Sequence, residues 1–360
     1  MKVCIIGNGL VSLTLANTLV NRGLNVDIIY SKKHKIYNQS RTLSISKSNV
    51  EYINKNIINI EKILWKIRKI KIYTENLKSD EIVNFTDPFK EVFSILRNDQ
   101  LYKLLEKNLK NKKLFKYKKN LNYKNILKKN YNLIINCDIN HEITKKFFSN
   151  MLKKDYNSFA YTTFIKHKKI FKNDTAIQIF TNDGPIAFLP ISSAQTSVVC
   201  SLRKKSKKKK LEINELIKKF NPKFKLISIS KVAKFELSSS NLRKYYNKNI
   251  LAFGDLLHRI HPLAGQGFNM CVRDIIQLTK LIDYKLELGV DIDNSICVEF
   301  QNKTKDKNYL FSKSIDFIYE FFNIESKTNN KFLSKSLNYL IKNKLVKDFF
   351  KKFADTGIST

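Results

Sequence analysis

The sequence predicts an α/β protein in which one layered domain is assembled from separated stretches of chain, with a mainly antiparallel β-sheet inserted between them and helices at the C-terminal end. Three observations carry this prediction. Short β-branched runs next to apolar residues at helical spacing recur near the start, middle and late part of the 360 residues. Between Thr175 and Leu202, strand-like runs instead follow one another through turns, with no helical segment between them. Finally, the chain contains only nine Gly and five Pro, yet the single stretch GDLLHRIHPLAGQGFN (Gly254 to Asn269) holds three of the Gly, one Pro and two of the five His. Backbone-shaping residues are concentrated where the path of the backbone matters.

The elements follow in order. Lys2 to Ile6 is an apolar run ending in Gly, Leu10 to Asn21 has helical spacing, and Asn25 to Tyr30 is a second β-branched run. Between the first two lies Gly7-Asn8-Gly9-Leu10-Val11-Ser12, a G-x-G-x-x-G pattern with Ser12 in the third position. In that setting Gly7 permits a tight turn, Gly9 lets the backbone approach a pyrophosphate, and the helix N-terminus offers unpaired N–H groups. An ordinary strand-to-helix turn is the alternative reading. Tyr30 occupies the end of the second strand, where an acidic residue would bind ribose hydroxyls, and Asp27 lies three residues earlier on an alternating strand.

Asn98 to Leu109 is spaced as a helix with Leu101, Leu104, Leu105 and Leu109 on one side, and Tyr131 to Asn136 reads as a buried strand. AIQIF, a TNDGP turn, IAFLPI and TSVVCSL supply the antiparallel sheet. Asn249 to Phe253 returns to a buried strand and runs straight into Gly254, while Val272 to Leu288 and most of Ser295 to Phe353 are helical. The expected division is a discontinuous domain of residues 1–75, 95–150 and 240–290, a sheet domain of 76–94 and 151–239, and a helical region of 291–360.

Composition narrows the function classes. The net charge of +36 comes from 67 basic residues, of which only eight are Arg, and Lys is spread along the whole chain. Nucleic-acid binders favour the planar guanidinium fork and stacking rings on one face, so no nucleic-acid partner is expected. One compact run, RKKSKKKK from Arg203 to Lys210, is either an exposed loop or a patch attracted to anionic lipid. The five Cys have no paired spacing, which suggests neither a disulfide framework nor a zinc site and fits a cytoplasmic protein. No apolar stretch reaches the ~18 residues of a membrane span, so any membrane contact is expected to be peripheral, on the inner face of the cytoplasmic membrane.

For Asp255, His258 and His261 two readings compete. Their spacing could place them together on a helix to bind a metal, but Pro262 and the glycines argue against a regular helix there, and no metal is expected. In the second reading, strand NILAF delivers Asp255 as a hydroxyl acceptor, Pro262 turns the chain, and Gly265-Gln266-Gly267 starts a helix aimed at an electron-rich ligand edge. The whole segment GDLLHRIHPLAGQGFNMCVRD resembles the GDAAHxxHPxAGQGxNxGxxD segment of the para-hydroxybenzoate-hydroxylase-like flavin monooxygenases, and specifically of the ubiquinone-biosynthesis ring hydroxylases. TAIQIFTNDGPIAFLPI is similar to the stretch of those hydroxylases that ends in GPxAxLP, and GNGLVS, SRTLSIS and RNDQLYKLL align in order.

The resemblance implies a Rossmann-like FAD-binding domain (GR2-type) with the inserted sheet as substrate domain. Asp255 would hold the ribitol of FAD, Arg41, Arg97 and Gln100 would lie along the cofactor, and Pro262 with Gly265, Gln266, Gly267 and Asn269 would border the flavin ring. NAD(P)H would be the co-substrate, and O2 would add to the flavin as a C4a-hydroperoxide that hydroxylates the ring of a polyprenyl phenol. The family's GADGxxSxxR motif appears as NCDINHEITKK: Asp138 is kept, while Ile139, Glu142 and Lys145 replace Gly, Ser and Arg. Leu256 and Leu257 replace two Ala and would add bulk beside the flavin loop. No catalytic acid or base is assigned. A weakened flavin- or quinone-binding relative that serves a biosynthetic complex, and a flavoprotein acting on another lipid or phenol, are the alternatives. Phe332 to Phe353 could form an amphipathic helix, with Leu333, Leu337, Leu340, Ile341, Leu345 and Phe349 near one face, that lies on a membrane or packs on the core.

Overall fold

A computed structural model describes residues 1–30, 41–75, 81–86, 91–119, 121–204, 213–328 and 344–358. The chain opens with β1 (Lys2–Ile6), α1 (Leu10–Val20) and β2 (Asn25–Tyr30). β1 and β2 pair in parallel, Val3 against Val26 and Ile5 against Ile28. All of β1 except Lys2 is buried, as expected for a parallel strand covered on both faces. Next come β3 (Thr42–Ser46), α2 (Lys47–Asn56), β4 (Trp65–Ile67), β5 (Lys69–Thr74), β6 (Glu81–Thr86) and β7 (Phe93–Arg97). α3 (Asn98–Lys110) turns Leu101, Leu105 and Leu109 inward against α1. It is followed by β8 (Phe115–Lys119), α4 (Tyr123–Lys128), β9 (Leu133–Asn136) and α5 (Glu142–Phe147).

The long strand β10 (Met151–His167) begins the inserted sheet, which continues with β11 (Thr175–Thr181), β12 (Gly184–Pro190), β13 (Gln195–Arg203), α6 (Ile213–Lys219), β14 (Leu226–Ile229) and β15 (Ala233–Leu242). The chain then returns through β16 (Tyr246–Asn247), β17 (Ile250–Ala252) and β18 (His258–Arg259) to α7 (Gln266–Glu287), α8 (Ser295–Thr328) and α9 (Lys344–Thr356).

The described strands form three sheets. β16-β17-β9-β1-β2-β8 make a six-stranded sheet, parallel except for the β16–β17 pair. Its strands come from the start, middle and late part of the chain, the discontinuity that the recurring β-branched runs predict. β18-β15-β10-β13-β12-β11-β5-β6, with β14 on the edge of β10, make a nine-stranded and largely antiparallel sheet. β3-β7-β4 form a small third sheet.

Two pairings cross the sequence division. β5 pairs in parallel with β11, Ile70 beside Ala176, so residues 69–74 form part of the nine-stranded sheet. β18 pairs with β15, Ser240 opposite Arg259, so the Gly254 to Asn269 segment is anchored to both large sheets. A strand's own pattern does not name its partner, and here that partner lies about a hundred residues away in sequence.

The largest core gathers Val3, Ile5, Leu13, Leu19, Ile28 and Leu105 with the inward side of α7, including Val272, Ile275 and Leu278. Each such side chain contributes roughly 1.5–3 kcal/mol by leaving water. Leu256 and Leu257 join this core and are only 1% and 0% exposed. Their bulk therefore fills the interior and does not crowd the loop as expected.

Candidate functional site

One cavity of about 1110 Å³ lies where the loop after β1, the segment after β17 and a face of the nine-stranded sheet converge. The first loop meets it through Gly9. Gly7 has φ +102 and donates its N–H to the Ile29 carbonyl at 2.8 Å, forming the tight turn behind the cavity; a Cβ there would touch Asp138 at 3.4 Å. A Cβ on Gly9 would meet nothing within 4 Å. Gly9 precedes α1, whose first turn has neither a side-chain cap nor an acidic residue. Its partial positive charge and unpaired N–H groups are thus directed at the cavity without an internal partner. Ser12 lines the same end.

The second loop is shaped by three glycines with different tasks. Gly254 has φ +65, and a Cβ there would come within 3.3 Å of Val11, so its smallness lets β17 end close to the start of α1. Gly265 has φ +62, and a Cβ would lie 2.7 Å from the Ser44 hydroxyl. Gly267 again faces open space, with nothing within 4 Å. It lies in the first turn of α7, which also has no acidic residue and no side-chain cap. Asn269 secures this turn to β3 and α2. Its Oδ1 accepts from the Ser46 N–H at 3.0 Å and the Asn49 amide at 2.9 Å, while its Nδ2 donates to the Ser44 carbonyl at 3.1 Å.

Ten of the thirteen residues expected at a cofactor line this cavity: Gly9, Ser12, Arg41, Asp138, Asp255, Pro262, Gly265, Gln266, Gly267 and Asn269. The other three do not. Gly7 stands behind it; Arg97 pairs with Asp99 at 3.2 Å and covers the Phe164 ring; Gln100 is exposed on α3. Asn98, at the start of α3, reaches the cavity instead, and its N–H donates to the Arg41 carbonyl at 3.1 Å. Asp138 makes a local turn, its carboxylate accepting from the Asn140 N–H at 2.8 Å. That local role accounts for an aspartate within an otherwise altered motif. The Asp255 carboxylate is exposed and has no hydrogen-bond partner among the described residues. Tyr30 packs edge-on against Tyr117, 5.7 Å between ring centres.

The two histidines diverge. His258 Nε2 meets Asp274 at 2.5 Å, and Asn308 donates to the other oxygen of that carboxylate at 2.9 Å. His261 Nδ1 accepts from the Leu263 N–H at 3.2 Å, so its neutral ring carries the proton on Nε2. Its ring lies between Tyr156 and Tyr319. Burial, aided by the charge of Lys154, lowers the His261 pKa to about 3. Cys137, also in the wall, has its thiol pushed up to about 12 by burial and stays protonated.

Sequence reasoning missed two further walls. Ile70, Ile72, Ala187, Leu189, Val199 and Leu237 make one half of the cavity apolar. The strand alternation of these segments was visible, but not which face would be hollow. Lys352, Ala354 and Asp355 of α9 form part of the rim. Asp355 accepts from the Ser48 N–H at 3.0 Å and hydroxyl at 2.8 Å, and Phe353 stacks on Phe311. The described end of the proposed amphipathic helix is thus docked on the body, while Leu333, Leu337, Leu340, Ile341, Leu345 and Phe349 lie outside the described side chains. In the basic run, Lys204 pairs with Glu236 at 2.5 Å, and residues 205–210 lie outside the described range.

Residues 144–287 match the family model described as FAD binding domain. Among curated proteins, the chain is 26% identical over 153 residues to 3-demethoxyubiquinol 3-hydroxylase of Escherichia coli, covering 41% of this chain and 39% of that protein. It is 22% identical over 274 residues to the mitochondrial ubiquinone biosynthesis monooxygenase COQ6 of Schizosaccharomyces pombe, covering 63% and 57%. Such matches span less than two thirds of the relatives' lengths. Among solved structures, PqsL of Pseudomonas aeruginosa, described as a probable FAD-dependent monooxygenase, superposes with a TM-score of 0.71 at 13% identity, covering 94% of this chain and 99% of that one. Klebsiella pneumoniae HpxO, solved with FAD and uric acid, gives 0.74 at 11% identity over 99% and 96%. The fold of this chain is the fold of these proteins.

Proposed function

We propose that this chain is an FAD-dependent monooxygenase that uses NAD(P)H and O2 to hydroxylate the aromatic ring of a polyprenyl-phenol intermediate of ubiquinone biosynthesis. The observation that carries this reading is a single cavity that joins two uncapped helix N-termini at one side to an apolar sheet face at the other. FAD fits the first side. At Gly9 and Gly267 a side chain would enter open space, so both glycines keep room for a ligand and are not demanded by packing. The cavity of about 1110 Å³ slightly exceeds the ~300–1,000 Å³ typical of ligand sites, as a site that holds both a dinucleotide and a substrate would.

When bound, the flavin supplies the redox and oxygen chemistry. The chain's own groups bind and orient. The α1 N-terminus receives the pyrophosphate, Asp255 accepts from ribitol hydroxyls, and the α7 N-terminus meets the electron-rich edge of the ring. A helix terminus in this position stabilises negative charge by about 0.3–1 kcal/mol, and more when buried. Exposed Arg41, Arg259 and Lys352 stand on the rim for the phosphates of the nicotinamide co-substrate. The apolar half excludes water around the phenol and accommodates its prenyl chain. The oxygen chemistry would be supplied by the bound flavin, so the chain's own part here is to hold the phenol in place and keep water from it. A lipid-borne substrate also calls for peripheral membrane contact, and the same setting suits membership of a biosynthetic complex.

The test is complementation of bacterial strains that each lack one ring hydroxylase of ubiquinone synthesis, with quinone intermediates read by mass spectrometry. One strain is expected to regain its quinone. Persistence of the same blocked intermediate in every strain overturns the assignment.

A further inference from the structure

The most exposed large apolar side chain among the described residues is Phe171, at 93%. It lies at the tip of the β10–β11 loop, in the sequence KHKKIFKND, which runs from Lys166 to Asp174. Nothing about this loop is loose. The Lys168 N–H donates to the Lys225 carbonyl at 2.9 Å, and the Ile170 N–H donates to Ser193 at 2.9 Å. The Asn173 side chain donates to Ser192 at 2.8 Å, and the Asn173 carbonyl accepts from the Trp65 indole at 2.7 Å. On either side of the tip the chain is fixed to the sheet, and the phenyl ring is held away from it.

The same loop carries Lys166, Lys168, Lys169 and Lys172, and the turn before β14, bonded to it between Lys168 and Lys225, adds Lys223 and Lys225, all with exposed side chains. Ile227, 66% exposed, adds a second apolar side chain on that strand. None of Lys166, Lys168, Lys169, Lys172 and Lys225 has a carboxylate ion pair among the described residues. A rigidly presented aromatic within a ring of uncompensated lysines matches a lipid interface: the ring enters the headgroup boundary and the ammonium groups meet anionic headgroups.

The placement also relates to the cavity. Lys69 and Asp174 meet at the base of this loop, the Lys69 N–H donating to the Asp174 carbonyl at 3.2 Å. Two residues beyond Asp174, Ala176 pairs with Ile70, and both line the apolar half of the cavity. We propose that the 168–172 loop, with Phe171 as its anchor, docks this protein on an anionic membrane and sets the apolar end of its cavity at the lipid surface. This deepens the functional reading above and rests on it for the lipid-borne substrate.

The test is sedimentation of the full chain with phosphatidylcholine vesicles, with and without phosphatidylglycerol. Binding to the anionic vesicles alone is expected. Replacing Lys168, Lys169 and Lys172 together by Gln should weaken it by roughly a hundredfold, and Phe171→Ser by roughly tenfold, with unchanged circular dichroism and unchanged turnover of a short-chain, water-soluble phenol. Three outcomes overturn the proposal: equal binding to neutral vesicles, loop variants that bind as the wild type does, or an equal loss on replacing Lys110, Lys112 and Lys113. Absence of phenol-stimulated NAD(P)H oxidation alongside loop-dependent vesicle binding would instead reject the hydroxylase reading and leave the docking surface standing.

Discussion

Glycines near the cavity separate into those required by the fold and those required by a ligand, and substitution distinguishes them. Gly265 has positive φ and no room for a Cβ beside Ser44, so Gly265→Ala should destabilise the protein by about 1–3 kcal/mol in chemical denaturation. Gly267 has ordinary helical geometry and open space, so Gly267→Leu should leave stability unchanged or raise it by up to about 1 kcal/mol. The same change should weaken FAD binding at least tenfold in a flavin fluorescence titration. Equal FAD affinity in this variant would place the cofactor elsewhere. His261 supplies a pH prediction. Its folded-state pKa, about 3, is below the unfolded value of about 6.5, so the unfolded chain takes up the proton first. Its contribution is fully present above pH ~6.5 and is lost as pH falls towards 3, by up to about 1.4 kcal/mol per pH unit. In urea unfolding, His261→Gln should flatten this acid limb, and an unchanged slope would show that the imidazole is not held neutral. The glycine positions were legible from sequence because positive φ is a local backbone demand, although the neighbours that close on Gly254 and Gly265, Val11 and Ser44, are distant in sequence. Arg97 and Gln100 lie outside the cavity lining because direction depends on partners: Arg97 turns to Asp99 and Phe164, and the first turn of α3 leaves Gln100 exposed.

At the scale of elements, α1 and α7 were readable because each begins at a glycine turn and keeps apolar residues in register behind it. α9 was readable as a helix but not as part of the site. Its attachment depends on contacts more than 300 residues apart in sequence, Asp355 with Ser46 and Ser48. Asp355 acts there as a cap supplied from a distance, accepting from the first turn of α2. Loss of a capping side chain typically destabilises by about 0.5–2 kcal/mol. Asp355→Ala should therefore release α9 more than it unfolds the protein, seen as faster amide hydrogen exchange in residues 344–356 with little change at β1. Because Lys352 stands on the rim assigned to the nicotinamide co-substrate, the Michaelis constant for NAD(P)H should rise by a few-fold. Exchange that accelerates equally in β1 would show α9 to be part of the global fold instead.

For the whole molecule, the assembly of one sheet from three separated regions was legible because a buried parallel strand is apolar on both faces wherever it occurs, as in KVCII, LIIN and ILA. The placement of β5 in the inserted sheet was not, since KIKIYT reads the same in any half-covered sheet and only its pairing with β11 decides. Charge, by contrast, is a property of the entire chain and yields a prediction without reference to any one element. An excess of 36 positive charges repels itself more strongly in the compact state than in the expanded chain. Exposed ion pairs such as Lys47–Glu51 and Lys110–Glu106 oppose this weakly, at about 0–1 kcal/mol each. Charge interactions reach ~30 Å at 0.01 M salt but only ~8 Å at 0.15 M, which removes repulsion across the molecule while affecting neighbouring pairs less. The melting temperature should therefore rise when sodium chloride is added over this range, measured by differential scanning fluorimetry. Sulfate would confuse the result by strengthening apolar burial on its own account. A falling melting temperature would mean that the local ion pairs outweigh the global repulsion, and that the lysine exterior stabilises this fold rather than straining it.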